Sequence, residues 1–569
     1  MNKKHWPWIA AVTIMLGVWN TSAFAIDFST HGYYRTRLNG FENLDLQRPN
    51  DSIAHSDDRY GFVTYNDMRL RLEPNLKIND NLSIHAWFDV LDNVLFGSDP
   101  TRQDRVLSPL IGTLTLPTEL GDPEYQKAFN VRGVWADILT PIGKFRIGRQ
   151  PSHWGLGIFT NDGHDRQADF GDTFDRILYV VEHNFPSVGT FLGSLSWDII
   201  SEAQFDQRLA FGNTVAEEEM PSASRNMQEV TLSLSLDRPE FGVGIFSGLR
   251  YRHATKDSVT MAVTDALGNE VGAGADGKTL IYFADLYARY QYENYKFKFE
   301  GVYLGGRVST GLAISAIPFR GLGEADPADP CRTGGIICMP PEQALQVFMA
   351  AFEAEAQYKW GGEWKFQAGF AEGDGDPVSG KITQYGFRPD YQIALFMFSR
   401  PAGTSPSYYG EPATDPGTTA KLGGGQPITG NYVNNALYFT LGYKHKFDVS
   451  GSLPGCDWFK VGGKVITAWA HKKNVNINFA QVVGTANLPA VTETANSIWK
   501  RWYGIEFDVS AEAKFFEHLY MALDAGVLIP GREYNIEVAV IDPGGLIEPI
   551  PYDKADIGWG GRLTASLEF

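Results

Sequence analysis

Beyond its N-terminus the 569-residue sequence has no long unbroken apolar run. A helix needs about 18 to 20 such residues to cross a bilayer, so any later membrane crossing must be made by strands. Cysteine is scarce: Cys331, Cys338 and Cys456 are the whole complement. Three thiols exclude a disulfide-dense scaffold. With no histidine near the close pair, they also exclude a zinc site. Excess positive charge is missing too. Lys and Arg number 49 against 67 Asp and Glu, for a formal charge of −18. That balance excludes the basic footprint of a nucleic-acid binder. No G-x-S-x-G nucleophile elbow occurs, and the 11 histidines are scattered. The chain is therefore read as not an enzyme, with no catalytic residue, metal or cofactor.

What is present is glycine, at 60 residues, and aromatic side chains, at 13%. The N-terminus carries Lys3 and Lys4, a short apolar core from Trp8 to Val18, and Ala23-Phe24-Ala25. This is the layout of a secretory signal peptide over residues 1–25, which leaves 26–569 as one mature domain. In an oxidising periplasm Cys331 and Cys338 are placed to close a loop disulfide.

Period-2 alternation dominates the remainder. Met68, Leu70, Leu72, Leu76 and Ile78 alternate with Asp67, Arg69, Arg71, Glu73 and Lys77. Asn79-Asp80-Asn81 turns the chain, and Leu82, Ile84, Ala86, Phe88 and Val90 then alternate with Ser83, His85, Trp87 and Asp89. In a first strand near Asp27–Gly40, His31, Arg35 and Arg37 oppose Phe28, Tyr34 and Leu38. Later segments do the same, among them Tyr503, Ile505, Phe507 and Val509 against Glu506, Asp508 and Ser510. One face of each is too charged for a dry sandwich core. An Arg or Lys facing lipid at the bilayer midplane costs about 2–4 kcal/mol, so the charged face must look inward.

Tight turns recur at Thr140–Gly143, Pro186–Gly189, Asp237–Glu240, Glu293–Asn294, Trp360–Glu363 and Phe515–His518, with a longer one at Ser450–Cys456. Between them lie long polar segments. The pattern predicts an all-β, antiparallel, up-and-down transmembrane barrel of about 18 strands (16–20), with short turns on one side and long loops on the other. The loop over 373–434 contains the apolar run Tyr391–Phe398. It is expected to fold into the lumen as a constriction, the alternative being a further hairpin.

The last strand, Asp556–Phe569, puts Trp559, Leu563, Leu567 and Phe569 on one face and Arg562, Thr564, Ser566 and Glu568 on the other. It resembles the closing strand of bacterial outer-membrane barrels, which implies recognition of Phe569 by the barrel-insertion machinery. Residues 145–176 hold the most distinctive motif: Gly148-Arg149, then His153-Trp154-Gly155-Leu156-Gly157, then Asp169 to Arg176. With Glu372–Asp376 and Phe387–Tyr391, this resembles a family of uncharacterised porin-like outer-membrane proteins of deltaproteobacterial type. More distantly the chain is similar to alginate-export barrels. The resemblance implies an outer-membrane location in a Gram-negative cell, lipid around the barrel and small hydrophilic solutes within it. Porins are often trimers, though no signature here specifies one. The Asp162–Asp175 stretch lacks EF-hand spacing, so a solvated loop, or an Asp–Arg network with Arg166 and Arg176 fixing the loop, is preferred to a calcium site.

The function expected is a porin, in which facing acids and bases on the inner wall create a transverse field across water. The pore-lining candidates are Arg35, Arg37, Arg69, Arg71, Lys144, Arg146, Arg149, Asp67, Asp89, Glu353, Glu355, Glu506 and Asp508. The alternatives are a polysaccharide exporter and a surface adhesin or structural barrel. Export of a polyanion sits poorly with inward acids such as Asp67, Glu353, Glu506 and Asp524 among the bases.

Overall fold

The computed structural model describes residues 27–44, 46, 61–95, 129–201, 226–254, 277–309, 342–374, 381–400, 402–404, 407–408, 422–423, 427–447, 449, 453–472, 501–534, 539–541, 547–549 and 555–569. The signal peptide and the Cys331–Cys338 pair lie outside the described residues.

Eighteen strands pair with their sequence neighbours in one closed antiparallel barrel. They are β1 (Asp27–Glu42), β2 (Val63–Asn79), β3 (Leu82–Leu95), β4 (Phe129–Thr140), β5 (Gly143–Pro151), β6 (Thr173–Phe185), β7 (Gly189–Ser201), β8 (Asn226–Asp237) and β9 (Phe241–Ala254). The second half comprises β10 (Gly277–Tyr292), β11 (Tyr295–Ser309), β12 (Glu342–Gln357), β13 (Gly362–Ala371), β14 (Ala436–Phe447), β15 (Cys456–Ala470), β16 (Trp502–Phe515), β17 (Leu519–Pro530) and β18 (Gly558–Glu568). β18 closes on β1, with Tyr33 opposite Glu568 and Leu38 opposite Leu563. Closure leaves no unpaired sheet edge to meet lipid. A two-residue strand, Lys381–Ile382, adds to β12 in parallel from inside the loop region.

The tight connections fall where turn residues predicted them, the one read at Trp360–Glu363 starting two residues earlier. All lie at the end that carries both strand termini, where Phe569 and Gly32 exchange backbone hydrogen bonds.

Leu38, Leu232, Leu286, Leu441, Phe507 and Leu563 are exposed on the outer wall. Near the tight turns Tyr290, Tyr292, Trp360, Trp364 and Phe447 ring it; Trp197, Tyr251, Tyr282, Tyr303 and Trp559 do so towards the long loops. An apolar band between two aromatic girdles is the surface a lipid bilayer requires. Mid-band Leu232→Arg is expected to destabilise the folded barrel by about 2–4 kcal/mol, measured by urea unfolding in lipid vesicles, whereas Leu232→Ile changes little.

One strand departs from strict alternation. Gly504 has φ +120°, and the β15–β16 register slips so that Ala468 faces Gly504 while Trp469 faces Trp502. This bulge turns Tyr503, read on the outer face from its spacing, into the interior. There it packs edge-on against Phe398 at 5.3 Å.

Candidate functional site

The interior divides into two sectors of different chemistry. The first belongs to β1–β4 and is arginine-rich. Arg35 stands opposite Arg69, Arg37 opposite Asp67, and Arg71 opposite Asp89. Between Val90 and Val94, β3 carries two extra residues, with Leu91 and Asn93 in the left-handed region. The bulge aims Asp92 at Arg69 Nε and Asn93 Oδ1 at the guanidiniums of Arg35 and Arg37. Arg71 forks onto both oxygens of Asp89 at 2.7 and 2.9 Å and lies 4.4 Å over Trp87.

These arginines do not face water. Arg35, Arg69 and Arg71 are fully buried, because residues 152–172 descend into the lumen and cover them. Arg35 donates to the carbonyls of Arg166 (2.7 Å) and Ala168 (3.2 Å), Arg69 to that of Ala168 (2.7 Å) and Arg71 to that of Gly163 (2.7 Å). Arg132 of β4 donates to the carbonyl of Phe170. The Asp169 carboxylate takes Arg35 and Arg37, each at 2.9 Å. A planar, weakly hydrated guanidinium with five donors can bind a carboxylate and a carbonyl together. An ammonium lacks that fork.

Burial alone would raise the Asp169 carboxyl, but Arg37, Arg35 and Arg69 overrule it and hold it far below the usual carboxylate range. A carboxyl depressed in the folded state adds stability above its unfolded value and loses it only as pH falls through the folded one. Acidification from about pH 7 to pH 4 is therefore expected to leave this loop anchored, checked as unchanged single-channel conductance.

The second insertion, residues 381–400, lies beside the first. Asp390 Oδ1 accepts the N–H groups of Asp169 and Phe170, and Arg388 pairs with Asp172. Burial raises Asp390, an effect its two N–H donors oppose, and burial pushes Arg388 down to about 10. At the far end Glu506 of β16 accepts the N–H groups of Leu395 (2.8 Å), Phe396 (2.7 Å) and Met397 (2.7 Å), and Asp508 also accepts from Leu395. Ile393, Phe396, Met397 and Phe398 are buried against the inner wall. Arg400 bonds Tyr65 Oη and lies 3.9 Å over the Phe41 ring.

Lysines and acids line the opposite sector. Lys298 meets Glu355 at 3.0 Å, Lys365 meets Glu353 at 3.2 Å, and Lys460 meets Glu363 at 2.9 Å. Lys464 meets Asp508 at 3.6 Å and Arg562 meets Asp524 at 3.6 Å. These pairs are partly solvated. A polar cavity of about 380 Å³ opens here between the two insertions and β10–β13, lined by His153, Leu156, Tyr287, Lys298, Glu353, Lys365, Gln367 and Tyr391.

No protein-family model matches the sequence, and no curated protein does. Among solved structures the chain is similar to a BenF-like porin of Pseudomonas fluorescens Pf-5, at 10% identity and a TM-score of 0.42, over 95% of this chain and 98% of that one. It is similar to Pseudomonas aeruginosa OccK11 (OpdR) at 9%, 0.41, and 95% and 96% coverage. Acinetobacter baumannii OccAB1 gives 9%, 0.41, and 96% and 98%.

The wall candidates fall into four groups. Arg35, Arg37, Arg69, Arg71, Asp67 and Asp89 point inward but are covered by loop 152–172. Glu506 and Asp508 point inward and carry the second insertion. Glu353, Glu355, Lys144 and Arg146 remain in the partly solvated wall, the last forked onto Asp137. Arg149 is a correction. It shares the face of Phe145 and exposed Ile147, so it lies on the outer wall, where it forks onto Asp175 at 2.8 Å; their side chains are 51% and 47% exposed. Each charge there neutralises the other, which lets the pair sit at the loop end of the apolar wall. Arg166 and Arg176 also differ from expectation. Arg166 reaches Glu568 at 2.9 Å and Arg176 forks onto Asp198 of β7, so wall arginines, not these two, hold the Asp169 carboxylate.

Proposed function

We propose that the chain is an outer-membrane channel through which small hydrophilic solutes diffuse. One observation carries this reading: a partly solvated, two-signed cavity lies inside a closed barrel whose outer wall is apolar. At about 30 Å³ per water the cavity holds roughly a dozen waters, a size that suits small solutes. Two inserted segments narrow the lumen, and the Lys and Glu side chains paired along β11–β13 give the opening left between them a wall of both charge signs. The kinship suggested by the His153–Gly157 motif, insertion through the strand ending at Phe569 and an outer-membrane home belong to the same reading. Passage of a long polymer has no counterpart in so crowded a lumen.

Reconstitution into planar bilayers tests it. Discrete openings of small conductance are expected, with vesicle swelling in small sugars and none in oligosaccharides. A correctly folded barrel without conductance overturns the reading, and block by one extended glycan would point to export instead.

A further inference from the structure

The sharpest sequence motif, His153-Trp154-Gly155-Leu156-Gly157, has a physical partner that the channel reading does not use. Its turn sits on two neighbouring inner-wall acids, Asp285 of β10 and Glu300 of β11, both fully buried. Glu300 Oε2 accepts the N–H groups of Leu156 and Gly157, the latter at 3.0 Å. Gly155 (φ +61°) and Gly157 (φ +81°) make this possible. A Cβ on Gly155 would stand 2.5 Å from Glu300 Oε2.

The other oxygens are unserved. Both oxygens of Asp285 and Oε1 of Glu300 are buried without a hydrogen-bond partner, as is the indole N–H of Trp154. Asp285 adjoins both Glu300 and Trp154. Two buried carboxylates in contact cannot both stay ionised without a compensating cation. Among the described residues neither acid forms an ion pair. A single proton serves both acids: it bridges Asp285 and Glu300 and leaves one Asp285 oxygen beside the indole N–H of Trp154. A metal ion at this spot would meet the indole N–H, a donor.

We propose that Asp285 and Glu300 share one proton and together form a latch that holds the turn at 153–157 against β10–β11, at the edge of the solute cavity. The turn supplies His153, Gly155 and Leu156 to that cavity. Loss of the proton sets two like charges against each other beneath the turn. The wall is fixed by its strand pairing, so the repelled Glu300 carboxylate moves inward, carries the turn bonded to it through Leu156 and Gly157 into the cavity, and narrows the path. Other charged or titratable groups face this place: Tyr287 of β10, Lys298 of β11, Glu353 of β12, Lys365 of β13, His153 on the turn, and Asp390 and Tyr391 across the cavity. β9 contributes Phe246, which packs against Trp154, and no charge.

The latch rests on the channel reading, and two measurements keep their failures apart. The first is conductance of the wild type, Asp285→Asn and Glu300→Gln between about pH 7 and pH 9. The wild type is expected to spend more time in a reduced-conductance state as pH rises, by up to tenfold per pH unit for one linked proton. The amide variants keep the neighbours but not the titration, and their profiles are expected to be flat. Variants that follow the wild-type profile overturn the latch. A flat profile for a conducting wild type does the same without touching the channel reading. A wild type that responds to added CaCl2 or to EDTA in place of pH overturns the proton in favour of a cation.

The second measurement is independent of conductance. The infrared carbonyl band of a protonated carboxylic acid at neutral pH should be present in the wild type and lost in Asp285→Asn. Absence of that difference overturns the proposal even if neither variant conducts.

Discussion

Asp169→Ala is expected to raise single-channel conductance several-fold while leaving the barrel folded. Asp169 is the carboxylate that loop 152–172 brings to the arginines of β1 and β2, meeting Arg35 and Arg37 at 2.9 Å with Arg69 at 3.8 Å. The wall acids Asp67, Asp89 and Asp92 cannot balance Arg35, Arg37, Arg69, Arg71 and Arg132 alone. Removing one partner of a buried ion pair costs about 3–5 kcal/mol, because the charge left behind is desolvated without compensation. The barrel can avoid that cost by letting the loop go and admitting water to the arginines. The carbonyl contacts of Arg166, Ala168 and Gly163 would be lost with it, each neutral acceptor being replaceable by water. Strand pairing does not depend on the loop, so circular dichroism and heat-modifiable gel mobility should match the wild type. A newly exposed arginine wall should also shift selectivity towards anions, read as a changed reversal potential in a salt gradient. A folded variant with unchanged conductance and selectivity would show that the carbonyl contacts alone hold the loop.

The same contacts show where sequence reading stops. Alternation in β1, β2, β3 and β18 named the outward Leu and Phe and the inward Arg, Asp and Thr, because a side chain at the membrane has only two directions to choose from. It gave strand number and the side of each loop for the same reason. It could not say what the inward face would meet. Water and a descending loop both satisfy a guanidinium, and nothing local to Arg35 or Arg69 distinguishes them. The loop partners are remote in sequence: Arg35 and Asp169 lie 134 residues apart, and Leu395 lies 111 from Glu506.

Bulges broke the pattern elsewhere. The two extra residues before Val94 hide Asp92 and Asn93 from a period-2 reading, and Gly504 reverses Tyr503. Glycine beside an aromatic near a strand end was the available signal for the second; the pair Asp92-Asn93, residue types that tolerate the left-handed region, was the signal for the first. Arg149 misled because charge alone was taken to mean inward. Its strand parity with Ile147 pointed outward, and Asp175, its cross-strand partner, was visible in the same motif.

Glu506→Leu should convert a quiet channel into one that flickers between two conductance levels. The substitution orphans the N–H groups of Phe396 and Met397 and leaves that of Leu395 only its bond to Asp508. Each unsatisfied buried donor costs about 1–3 kcal/mol, so the turn loses about 2–6 kcal/mol if it stays in place. Against this stands the burial of Phe396, Met397 and Phe398, at about 1.5–3 kcal/mol each. The two ranges overlap, so the inserted and released states are both populated. Glu506→Gln keeps one acceptor oxygen, enough for Leu395 and Phe396 but not for Met397, and should flicker less than Glu506→Leu. Adding Phe398→Ala to Glu506→Leu removes apolar burial, including the edge contact to Tyr503, and should fix the channel at the higher level. Single-channel recording of the three variants separates the terms. A silent Glu506→Leu channel at wild-type conductance would mean that apolar packing alone places the 381–400 insertion. The double variant would then be the one to release it.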